Sequence, residues 1–172
     1  MPLIERHLRI QAPIERVWEV LVDVPGQPRW MRDLHDVRVT TPGPLAVGTV
    51  AVSTVRMFGL SQTDPIKVTV LDPPVRYAIR HLGAFHGWGE FRLASLDDGR
   101  VTHVRWREEL RMTADAWPIV PRLYRVPLVG WALRGWAGAA ARWADPLLTP
   151  VLEVVFRADL RRLRRLVETG EG

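Results

Sequence analysis

The chain has 172 residues, 47% of them hydrophobic and 25% charged, which suits one soluble domain with an ordinary core. With no cysteine, disulfides and thiolate-ligated metal sites are excluded. The formal charge of +5 rests almost wholly on arginine, Lys67 being the sole lysine. It raises the question of an anionic partner. No zinc-finger, RNP or helix-turn-helix pattern accompanies it, so nucleic acid is not expected. A plain basic surface or contact with an anionic membrane surface remains. The charged start, MPLIERHLRI, lacks the apolar run of a secretory signal and predicts a cytoplasmic protein.

In chain order, Leu3 to Ile10 alternates, with Ile4, Leu8 and Ile10 on one side and Glu5, His7 and Arg9 on the other, the period of a half-buried strand. His7 is thereby placed among solvated charges. Pro13 suits a first helical position, and Ile14, Val17, Trp18 and Leu21 make one apolar stripe. Val24-Pro25-Gly26 breaks that helix. A second short helix is predicted over Pro28 to Leu34, with Trp30 and Met31 turning inward as core plugs or as the rim of a pocket.

Short strand-like segments follow, joined by tight turns and without helices between them, which predicts an antiparallel sheet. Val37 and Val39 mark one and Gly48 to Met57 another. Ile66, Val68 and Val70 alternate with polar neighbours up to Asp72-Pro73-Pro74. Val75, Tyr77, Ile79 and His81 share a face. Gly87 to Leu96 and Val101 to Met112 are linked by Asp97-Asp98-Gly99, a hairpin signal. In the last strand, Thr102, Val104, Trp106, Glu108, Leu110 and Met112 oppose His103, Arg105, Arg107, Glu109 and Arg111. Glu108 is therefore an acid on an apolar face. Either it is buried and needs a partner, or it reaches water at the strand end.

From Trp117 the character changes. Prolines 118, 121 and 127 precede an amphipathic stretch from Leu128 to Asp145, and Arg122, Arg125, Arg134 and Arg142 occur with no acid between Trp117 and Trp143. A last helix is predicted over Val151 to Glu168, with Leu152, Val155, Phe156, Leu163, Leu166 and Val167 as its apolar positions. The arginines near its end complement the helix dipole.

The order strand, two short helices, antiparallel strands and long terminal helix resembles the START-like, or SRPBCC, superfamily, in its polyketide cyclase/dehydrase and lipid-transport branch. Residues 10–31, IQAPIERVWEVLVDVPGQPRWM, carry the resemblance, with Gly48-Thr49, Asp72-Pro73-Pro74 and Asp98-Gly99-Arg100-Val101-Thr102 further on. It covers roughly 3–112 and the last helix. The resemblance implies an α+β helix-grip fold. A curved antiparallel sheet wraps a long C-terminal helix over an apolar cavity, in one domain spanning 1–172. Relatives bind lipids, sterols, polyketides, plant hormones or quinone-like molecules, and a minority catalyse cyclisation or dehydration. The chain departs from the pattern at Thr113–Asp145, an added helical element.

On that frame the expected ligand contacts are Trp30, Met31, Tyr77, Ile79, His81, Phe91, Trp106, Glu108, Leu152 and Phe156, with an apolar small molecule or lipid as partner. The polar members, Tyr77, His81 and Glu108, fix ligand orientation or are simply satisfied core groups. If there is chemistry, His81 and Glu108 are its acid–base residues, acting as in a cyclase or dehydratase on a polyketide-like or aromatic substrate. No nucleophile motif, HExxH spacing or phosphate loop occurs, and GAFHGWGE (83–90) reads as a hairpin, so neither cofactor nor metal is expected. Trp131, Trp136, Trp143, Arg134 and Arg142 form either a lid or a membrane-surface element over 113–145.

Overall fold

The computed structural model describes residues 3–57, 60–83, 85–112, 150 and 152–170. Seven strands form one antiparallel sheet: β1 (Leu3–Ile10), β2 (Leu34–Val39), β3 (Val50–Met57), β4 (Leu60–Asp72), β5 (Arg76–Leu82), β6 (Phe85–Leu96) and β7 (Val101–Met112). Their spatial order is β1-β7-β6-β5-β4-β3-β2, so the first strand pairs with the last. The chain between β1 and β2 must therefore cross from one sheet edge to the other. It does so through α1 (Ile14–Val22) and a 3-10 helix (Val24–Arg29). A terminal helix, α2, covers residues 152–169 and completes the α+β helix-grip fold.

Helix α1 forms for the reason its spacing gives: Ile14, Val17, Trp18 and Leu21 are its buried residues. Pro13 sits one position earlier than expected, as the N-cap with an extended ψ of 151°. Asp23 then does two things. Its N–H bonds the carbonyl of Glu19 to end α1, and its side chain accepts from Gly26 N at 3.2 Å to start the 3-10 helix. The second helix thus lies earlier than Pro28 to Leu34 and is not an α-helix. Pro25 and Pro28 lack the N–H that α geometry requires, and Leu34 already belongs to β2.

Two irregularities bend the sheet, one in β2 between Leu34 and Asp36 and one in β4 between Val68 and Val70. The second corrects the simple alternation expected for β4. Past the bulge it is Leu71, opposite Tyr77, that packs on the core, while Val70 lies opposite Ala78 on the other face. Val75 likewise leaves the inner set, being an exposed turn residue before β5.

The core fills the space between the inner sheet face and α2. Ile10, Val17, Leu21 and Val104 meet Phe156, Leu160, Leu163, Leu166 and Val167. At about 25 cal/mol per Å² of apolar area removed from water, this shared face is the main force holding α2 down. His7 stands on the outer face as expected, where it stacks on His103.

Candidate functional site

Between the curved sheet and α2 lies a cavity of about 140 Å³. Met31, Tyr77, Ile79, His81, Phe91, Trp106, Glu108, Leu152 and Phe156 line it. Trp30 does not, so the ligand contact expected of it is corrected: of the two readings, core plug and pocket rim, the structure takes the plug. It is fully buried and meets Phe91 and Trp106 edge-on, with ring centroids 6.1 and 6.3 Å away. The 3-10 helix ends at Trp30, which aims the indole behind the wall rather than into the opening. The wall is a stack in which Trp106 lies 4.9 Å from Phe91 and 4.2 Å from Phe156, at interplanar angles of 28° and 20°. Trp131, Arg134, Trp136, Arg142 and Trp143 lie outside the described residues, so the lid and membrane readings of 113–145 do too. Among the described residues, no helix is long and apolar enough to cross a membrane.

The polar focus is Glu108. Alternation along β7 turns its side chain inward, and it is 7% exposed. Of the two alternatives left by the sequence, the structure takes the buried one and supplies partners. Glu108 Oε1 lies 2.9 Å from His81 Nε2, contributed by β5, and Oε2 accepts from Trp106 Nε1 at 2.8 Å. Gly89, paired with Glu108 across β6 and β7, provides the room: a Cβ there would stand 2.7 Å from Glu108 Oε2.

Several further polar residues line the cavity that sequence reasoning missed: Gln27, Asp33, Ser53, Asp64 and Asp159. Asp159, on α2, is 1% exposed, and its Oδ1 accepts from Arg32 N at 3.1 Å. Its Oδ2 is buried with no hydrogen-bond partner among the described residues. Burial, helped by the negative charge of Asp33, pushes the Asp159 carboxyl up to about 7, against the lowering effects of the Arg32 amide and the Arg162 and Arg32 charges. Asp33 is also raised, mainly by burial and further by Glu108. Burial takes the Tyr77 phenol up to about 12 despite its bond with Gln27, so it stays a neutral hydroxyl. Asp64 Oδ2 accepts from Phe85 N at 3.0 Å.

A signal for some of these was present. Asp159 falls three residues after Phe156 and four before Leu163, on the inner stripe of α2, and Asp64 continues the Ile66, Val68 face of β4. Asp33 had none, because the misplaced second helix, as predicted, includes it. Chemically, the site offers an aromatic wall, a histidine–carboxylate couple and two acids, Asp33 and Asp159, whose carboxyls burial pushes up. Among the described residues, no group of three or more His, Cys, Asp or Glu is arranged to hold a metal ion.

Comparisons with known proteins bear on the family and the fold. A family model described as polyketide cyclase/dehydrase and lipid transport matches residues 1–168, and the chain belongs to that family. It is a START-like protein, of a class built to bind hydrophobic ligands. Among curated proteins, none matches the chain. Among solved structures, the ZhuI aromatase/cyclase from Streptomyces sp. R1128 is similar at 25% identity and TM-score 0.67, over 97% of this chain and 93% of that one. A protein from Thermus thermophilus is similar at 18% identity and TM-score 0.65, over 99% of this chain and 100% of that one. The di-domain aromatase/cyclase BexL of the BE-7585A biosynthetic pathway is similar at 16% identity and TM-score 0.63, over 98% of this chain and 47% of that one. The latter two likenesses concern the fold.

Proposed function

We propose that the cavity takes up a small ring-bearing apolar molecule and orients its polar end against Glu108 and His81. The observation that carries this reading is a histidine–carboxylate couple in the wall of a cavity lined largely by aromatic and aliphatic side chains. Its volume of about 140 Å³ suits a single ring with a short substituent. An apolar protein cavity of about 150 Å³ is known to hold benzene. Native mass spectrometry and solvent extraction of the purified protein test for a retained molecule. Titration with toluene and benzyl alcohol, followed by the Trp106 indole resonance, tests for uptake. A protein that carries nothing and takes up neither probe sinks the reading.

A second reading, acid–base catalysis of cyclisation or dehydration, is favoured by the His81–Glu108 couple together with Asp159 held at about 7. In dehydration, one of these groups removes the α-proton of a β-hydroxy ketone. Another protonates the departing hydroxyl, and water leaves as the double bond forms. The likeness to proteins described as aromatase/cyclases supports placing such a reaction here. Removing one positioned acid or base lowers such a rate about 10²–10⁴-fold. On a ring-bearing β-hydroxy ketone, His81→Ala and Glu108→Gln each lower kcat by that factor if the site is catalytic. If the protein only binds, wild type and variants give the same background rate and only Kd moves.

A further inference from the structure

The charges around the cavity are one-sided. Asp33, Asp64, Glu108 and Asp159 line it together with one imidazole, His81, and no lysine or arginine lies among the described lining residues. Asp33 lies within electrostatic reach of both Asp159 and Glu108. A carboxylate cluster alone is no site. Here, however, Asp159 Oδ2 is buried and unpartnered among the described residues, on a side chain that faces the cavity. A buried carboxylate oxygen without a donor is costly and calls for an explanation, of which a bound donor group is one.

We propose that the cavity's ligand is an organic cation, a ring-bearing apolar body with a primary ammonium group that docks between Asp159, Asp33 and Glu108. This deepens the binding function proposed above and rests on it. An ammonium carries three donors and no acceptor, so it can satisfy Asp159 Oδ2 and reach a second carboxylate at once. Phe91, Trp106 and Phe156, which line the same cavity, give the ligand's ring an aromatic wall to pack against. The carboxylates have already been desolvated by folding, so binding adds only the desolvation of the ligand's own charge. A carboxylate ligand meets repulsion from the same groups. A neutral alcohol can bond one oxygen but leaves the summed negative charge in place.

The test is a calorimetric series at pH 8 with three probes of one size: benzylammonium, benzyl alcohol and benzoate. Benzylammonium is expected to bind at least about tenfold more tightly than benzyl alcohol, with benzoate undetectable. Asp159→Asn is expected to weaken benzylammonium about tenfold and to leave benzyl alcohol within about twofold. Should Asp159→Asn fail to fold by thermal melting, Asp33→Asn carries the same comparison. Benzyl alcohol binding as tightly as benzylammonium overturns the cation while leaving the ring-binding cavity intact. Failure of all three probes removes the ring-binding reading and the cation with it.

Discussion

The two faces of the sheet treat buried carboxylates in opposite ways. On the outer face Glu90 is 4% exposed, yet Arg76 and Arg92 close on it at 2.6 and 2.8 Å. Burial raises its carboxyl, but the bonds and charges of Arg92 and Arg76 outweigh that and hold it below the usual glutamate range. Nearby, Glu5 forms ion pairs with Arg105 and Arg107 at 3.1 and 3.2 Å and lies 3.0 Å from His7. On the inner face Asp159 is at least as buried, and among the described residues no guanidinium closes on it. One residue class therefore serves two ends. Where arginine closes in, the acid knits strands together, and where none does among the described residues, burial leaves the acid raised and one of its oxygens without a donor.

Because the two shifts have opposite signs, pH separates them. Asp159 is raised from 3.8 to about 7, so the folded state binds more protons than the unfolded chain between those values. Its contribution is fully present below 3.8 and is lost as pH rises through about 7. In urea titrations, Asp159→Asn gains stability relative to wild type between pH 4 and pH 8, by roughly 2–4 kcal/mol at the level of the shift. A constant difference across that range breaks the comparison on its inner side. Glu90 behaves the other way: its lowered carboxyl stabilises the fold above 4.5 and loses that effect as pH falls. Glu90→Gln is expected to lower the urea midpoint at pH 7 and to flatten the acid limb below pH 4.5. The smallest effect belongs to the exposed pairs, where His7→Ala, at a half-exposed pair with Glu5, shifts stability by less than about 0.5 kcal/mol at pH 7. A larger loss would mean that the outer network is more coupled than pairwise geometry indicates.

Periodicity accounted for much of this arrangement. The α1 stripe and the inward run of β7 from Thr102 to Leu110 follow from which residues repeat at 3.6 and which at 2, while the helix-grip class comes from the resemblance that residues 10–31 and the element order carry. It failed where the chain changes period without a compositional mark. The β4 bulge exchanges Val70 for Leu71, and the 3-10 helix replaces a second α-helix and so relocates Trp30 and Asp33. Asp159 illustrates a different blindness. Its spacing placed it inside, but an acid read by polarity goes outside, and only the missing partner shows that position outranks polarity there. Glu108 was legible because its neighbours on β7 left it no other face.

The pairing of β1 with β7 also has a kinetic meaning. Gln11 N donates to Glu168 at 2.8 Å across 157 positions, and Arg6 meets Glu153 at 2.7 Å, so the first strand is fastened to the last helix near both ends. Contacts this distant in sequence cannot form until synthesis has passed α2, and folds dominated by such pairings close slowly, in about milliseconds to seconds. The two ends of the cavity's frame thus meet last. The cavity, whose wall includes Leu152, Phe156 and Asp159 of α2, therefore takes shape only once that helix has docked.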